Sequence, residues 1–167
     1  RDVKPANVLI TAEGQVKLTD FGIALPRERT RVTAPDEIVG TVHYLAPEIL
    51  QEDAAATPAA DMYALGALAW RLFTGEPLWG ADKPVHDVLV AHVREVPPPL
   101  ATRCLELAPD VAALVDRMLA KAPEERPTAA EVVEQLAPKR PHTGLIARLW
   151  SAEEAAQRRR TIGERLR

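Results

Sequence analysis

The segment from Pro58 to Gly75, PAADMYALGALAWRLFTG, sets the strongest limit on what this chain can fold into. Pro suits the first turn of a helix and Gly its end, so the segment is bounded at both sides. Its apolar residues cover nearly every face, which makes it a central helix that the rest of the chain must bury. The run MYALGALAW stops at Arg71, far short of the roughly 20 apolar residues that span a membrane.

The remaining sequence supplies cover of the expected kind. KPVHDVLVAHVRE (83 to 95) places Val85, Val88, Leu89 and His92 on one helical face. PDVAALVDRMLAK (109 to 121) repeats the pattern through Val111, Leu114, Val115, Met118 and Leu119. Thr128-Ala-Ala-Glu131 predicts a capping box ahead of Val132, Val133 and Leu136. PPPL (97 to 100) and PKRP (138 to 141) read as linkers. Before the helices, VLI (8 to 10) and QVKLT (15 to 19) flank AEG, the pattern of a small β-hairpin. From Phe21 to His43 the sequence is polar, carries Pro26 and Pro35, and lacks periodicity. That is the pattern of a long surface loop, and long loops in compact domains are usually functional.

With 47% hydrophobic and 27% charged residues the chain has a globular composition. Its net charge of -3 is unevenly spread: the residues after Pro138 hold eight Lys/Arg against three Asp/Glu. An acidic body thus precedes a basic tail, a candidate for contact with an anionic partner or membrane surface. Cys104 is the single cysteine, so no intrachain disulfide can form, a reducing compartment is expected, and the thiol reads as inert and half-buried.

The chemistry concentrates at the hairpin. RDVKPAN (1 to 7) holds Asp2, Lys4 and Asn7, and Asp20-Phe21-Gly22 follows the second strand. A hairpin returns the chain to its start, so Asn7 and Asp20 can face one hard cation through oxygen. Mg²⁺ accepts one or two such protein ligands and completes its shell with water and phosphate oxygens.

Taken with Ala46-Pro47-Glu48, these motifs resemble the signature set of a protein kinase: RDVKPAN its catalytic loop, DFG at 20 to 22, and APE at 46 to 48. DMYALG (61 to 66) is similar to the family's helix whose Asp, here Asp61, anchors the catalytic loop, and Arg126 stands where the family places the partner of the APE glutamate, here Glu48. DFGIA, GTVHYLAPE, TGEPLW and KAPEERPTAAEV look most like the bacterial Ser/Thr branch of the eukaryotic-type (Hanks-type) kinases.

The resemblance implies a mainly α C-terminal lobe over residues 1 to 137, with the hairpin at its N-terminal edge, and a linker or juxtamembrane-like tail over 138 to 167. It implies an ATP-dependent protein serine/threonine kinase using Mg²⁺ (or Mn²⁺). Asp2 would orient the substrate hydroxyl and accept its proton, Lys4 would clamp the transferred phosphate, and Asn7 and Asp20 would hold metal and nucleotide phosphates. Phe21 and Gly22 complete the DFG motif. Gly40 and Thr41 would form the substrate platform, with Thr41 contacting Asp2 and Lys4. Arg1 would sense a phosphate on the activation loop, with Thr33 and then Thr30 as acceptors.

The family's Gly-rich loop, strand Lys and its Glu partner are not found in these 167 residues. The expectation is therefore a C-lobe without its N-lobe, cut at a truncation edge inside the catalytic motif, inactive alone and completed by the missing N-lobe of the same protein. The alternative is a non-catalytic lobe serving as a binding scaffold, which a full set of Asp2, Lys4, Asn7 and Asp20 argues against. A small-molecule phosphotransferase is disfavoured by APE and GTVHY, which build a peptide platform. The expected partner is a protein with a Ser/Thr acceptor and no nucleic acid. The expected location is cytoplasmic, with membrane association through regions outside this chain.

Overall fold

The computed structural model describes residues 2–12, 14–20, 40–51 and 57–137. Arg1, Phe21, Gly22, Thr30, Thr33 and the 138–167 tail lie outside the described residues, so the expectations placed on them have no structural counterpart here.

Strands β1 (Val8–Ile10) and β2 (Val16–Leu18) pair antiparallel, with Val8 opposite Leu18 and Ile10 opposite Val16. Gly14 closes the turn at φ 82°, a left-handed conformation that suits glycine, and its N–H donates to the Thr11 carbonyl at 2.9 Å. The expected second strand, 15 to 19, is shortened at both ends. Leu9, Ile10, Val16 and Leu18 are 38–70% exposed, so the hairpin presents apolar side chains outward.

Helix α1 (Pro58–Thr74) is the central element. Thr57 caps its start by accepting from the Ala60 N–H, and Gly75, at φ 82°, ends it with its N–H on the Arg71 carbonyl. Tyr63, Ala67, Leu68 and Trp70 are buried, while Leu65 and Phe73 stay partly exposed. Helix α3 (Pro109–Met118) packs across α1 at Gly66, where a Cβ would stand 2.8 Å from that of Met118. Helix α2 (Val85–Arg94) buries Val88, Ala91 and His92. Helix α4 (Ala129–Leu136) starts with the full capping box of Thr128 and Glu131.

Three further expectations change. PPPL is no plain linker, because Leu100 is fully buried and its N–H is held by Asp116 Oδ1 at 2.9 Å. The surface loop does not extend to His43: Val42–Tyr44 forms a buried 3₁₀ turn against α1 and α2. On α4 only Val132 is covered, whereas Val133 and Leu136 are 69% and 52% exposed.

Candidate active site

The site begins with a tight reversal. Lys4 is extended, and Pro5–Asn7 forms a 3₁₀ turn in which the Asn7 N–H donates to the Lys4 carbonyl at 3.0 Å. Proline at the first turn position favours this reversal, since it has no N–H to satisfy there. The turn returns buried Asn7 toward Asp2: Nδ2 donates to the Asp2 carbonyl at 2.8 Å and to Oδ2 at 3.0 Å. Lys4 Nζ also reaches Oδ2 at 2.9 Å and donates to Thr41 Oγ1 at 3.1 Å. Both cationic and amide donors thus converge on Oδ2, and Oδ1 is the Asp2 oxygen they do not engage.

Residues 37 positions apart are therefore joined through Lys4. Asp2, Val3, Thr41 and Asp61 further line one small cavity of about 50 Å³ with Leu45 and Ala64. The DFG aspartate is brought back by the hairpin, because Thr19 donates its N–H to the Asn7 carbonyl at 2.8 Å and so extends the ladder by one step. Asp20 follows at φ 50°, a left-handed conformation that a short polar side chain tolerates better than most. With Nδ2 spent on Asp2, the Asn7 amide turns its oxygen away from that carboxylate. Asn7 Oδ1 and the exposed Asp20 carboxylate are then hard oxygen donors suited to Mg²⁺. Gly40 is exposed, with open space where a Cβ would stand.

The segment after Thr41 is anchored at two points. Tyr44 OH accepts from Arg71 Nη1 at 3.1 Å. Glu48, in the turn Pro47–Leu50, is gripped by Arg126, whose Nη1 and Nη2 reach the two carboxylate oxygens at 2.6 and 2.8 Å. The other three Arg126 donors go to the carbonyls of Ala59, Ala120 and Lys121, so all five N–H groups are used. The guanidinium lies 5.0 Å from the Tyr63 ring centroid.

This architecture and these motifs match a family model described as the protein kinase domain over residues 1–136. The chain belongs to the protein kinase family. Among its relatives, the probable serine/threonine-protein kinase pknA2 of Bifidobacterium longum is 39% identical over 145 residues, covering 84% of this chain and 19% of the relative. Serine/threonine-protein kinase PknB of Mycobacterium tuberculosis is 43% identical over 135 residues, 79% of this chain and 21% of the relative. PknA of the same species is 42% identical over 127 residues, 75% of this chain and 28% of the relative. The chain thus spans between 19% and 28% of the length of these curated kinases, and it groups with the bacterial Ser/Thr branch.

One cluster in this kinase chain has no motif to announce it. His92 Nδ1 lies 2.9 Å from Tyr63 OH and 3.1 Å from Trp79 Nε1. An indole N–H can only donate, so Nδ1 is the unprotonated nitrogen and the ring proton sits on Nε2. Lys121 caps the group, with Nζ 4.9 Å from the Trp79 ring centroid. Burial, and then the Lys121 and His43 charges, hold His92 down to about 3. Burial, and then Arg126, lower Lys121 to about 8. His92 sat on the expected buried face of its helix, but Tyr63, Trp79 and Lys121 arrive from three other parts of the chain.

A pH dependence follows from His92. Its pKa falls from 6.5 in the unfolded chain to about 3 in the fold, so between those values the unfolded state binds more protons. Its stabilising contribution is complete above about pH 6.5 and lost by about 1.4 kcal/mol per pH unit on acidification. Going from pH 7 to pH 5 should therefore cost about 2 kcal/mol through His92, with His43, also lowered by burial and then Arg71, adding in the same direction. Urea unfolding at both pH values checks this. His92→Gln, which keeps an acceptor and does not titrate, should remove most of the difference, and an unchanged difference would assign it elsewhere.

Proposed function

We propose that residues 1 to 137 form the C-terminal lobe of a kinase domain whose whole protein transfers the γ-phosphate of ATP to Ser/Thr hydroxyls of protein substrates. The observation that carries this reading is Lys4 Nζ held between Asp2 Oδ2 and Thr41 Oγ1. It joins a carboxylate, a cation and the platform threonine at one point. The outward apolar side chains of the hairpin support the lobe assignment, since Leu9, Ile10, Val16 and Leu18 need a cover. The N-lobe of the same protein is the cover proposed, and the 167 residues alone transfer no phosphate at a useful rate.

In this reading the acceptor hydroxyl donates to Asp2 Oδ1, the oxygen not engaged by Lys4 and Asn7. As the new oxygen–phosphorus bond forms and the bond to the β-phosphate breaks, the hydroxyl proton passes to Asp2 and ADP leaves. Phosphoryl transfer of this kind depends more on alignment than on base strength. Lys4 places positive charge beside the transferring group while Thr41 fixes its direction. Asn7 and Asp20 would hold Mg²⁺, which neutralises charge on the β- and γ-phosphates.

The test uses the natural full-length protein with MgATP and peptides offering only Ser, Thr or Tyr as acceptor. Phosphoserine and phosphothreonine are expected, with no phosphotyrosine. Transfer confined to Tyr, or to small molecules, would contradict the proposal.

A further inference from the structure

We infer that Lys121 is a positioning residue for the acceptor side of the site, acting through helix α2. Lys121 Nζ donates to the carbonyls of Ala91 and His92 at 3.2 and 2.6 Å. These belong to the last turn of α2, where the dipole favours a cation; the Ala91 carbonyl also accepts the Glu95 N–H at 3.0 Å. The ammonium is further held against the rings of Trp79 and Tyr63, 4.9 and 5.9 Å from their centroids. The Lys121 carbonyl accepts from Arg126 Nη2 at 3.0 Å. One residue thus ties the end of α2 to the Arg126–Glu48 clamp, by its side chain on one side and its backbone on the other.

Helix α2 in turn packs against the turns Val42–Tyr44 and Pro47–Leu50. The first of these follows directly on Thr41, which receives the Lys4 hydrogen bond. A shift of α2 therefore moves the platform threonine, whereas Asn7 and Asp20 are carried by the hairpin. Loss of the Lys121 side-chain contacts should weaken engagement of the protein acceptor and spare the nucleotide.

This inference rests on the phosphoryl-transfer reading, and the experiment separates the two. In the natural full-length protein, Lys121→Met should raise KM for a Ser/Thr peptide about tenfold, the scale of coupling through a packed network. KM for ATP should stay within about twofold, and Lys121→Arg, which keeps the cation, should recover most of the peptide affinity. Lys121→Gln, which removes the charge but keeps an N–H₂ donor group, serves in place of Met if that variant does not fold. An unchanged peptide KM, or an equal rise in both KM values, overturns the inference. Should the wild type transfer no phosphate, hydrogen exchange decides it. Amides of residues 42–44 and 85–94 should exchange faster in Lys121→Met while those of 129–136 do not, and unchanged exchange in α2 overturns the inference.

Discussion

Replacing Asp2 by Asn in the natural full-length protein is expected to lower kcat for peptide phosphorylation by about 10³-fold, within the range of a positioned acid or base. KM for ATP should change by no more than about twofold, because the variant removes an interaction at the acceptor and not at the nucleotide. The size of the effect follows from hydrogen-bond direction. Lys4 Nζ is ion-paired with Asp2 Oδ2 at 2.9 Å, and Asn7 Nδ2 donates to the same oxygen at 3.0 Å. They force the oxygen of an Asn side chain into that place, so its NH₂ takes the place of Oδ1. The atom facing the acceptor hydroxyl then donates instead of accepting and cannot receive a proton. A fall of less than about tenfold would remove Asp2 from the proposed role.

Loss of Arg126 should be the most damaging change to the fold. Its side chain is fully buried, and Arg126→Ala leaves the Glu48 carboxylate and the carbonyls of Ala59, Ala120 and Lys121 without their donor. Removing one partner of a buried ion pair typically costs about 3–5 kcal/mol, because the remaining charge stays desolvated. Against a total stability of about 5–15 kcal/mol, that is enough to unfold much of the population. Urea denaturation monitored by helical circular dichroism measures it. Replacing both partners with apolar residues, Glu48→Leu with Arg126→Met, should cost less than Arg126→Ala alone, because no charge is then stranded. A single-variant loss below about 1 kcal/mol would show that the clamp is not what fixes this segment.

Much of this frame is legible in the sequence for local reasons. The ends of α1 follow from Pro58 and Gly75, whose backbone preferences act without any tertiary partner. The capping box is equally local, since Thr128 and Glu131 satisfy each other's neighbours. The convergence of Asn7 and Asp20 is readable because a hairpin must return to its start, and the Thr19 to Asn7 hydrogen bond is that return. What escaped reading is set at long range. Leu100 ends a proline run, yet a side chain 16 residues away captures its N–H. Val133 and Leu136 have helical spacing, but spacing does not say whether a neighbour stands opposite. Val42–Tyr44 continues a polar loop in sequence and is buried only because α1 and α2 meet over it. The His92 cluster draws on four separated positions, and three of the five Arg126 bonds end on backbone carbonyls that no side-chain pattern reveals.

In the proposed function the two ends of the hairpin carry one phosphoryl-transfer centre. Its most direct measurement is the single-turnover rate of γ-phosphate transfer from MgATP to a Ser/Thr peptide by the natural full-length protein and its Asp20→Gly variant. Glycine accepts the positive φ of position 20 without strain, so the variant removes the carboxylate while keeping the backbone. Metal-dependent transfer by the wild type and a fall of at least about 10³-fold in the variant are predicted. A wild-type rate that the loss of this carboxylate leaves unchanged would place the transfer centre elsewhere.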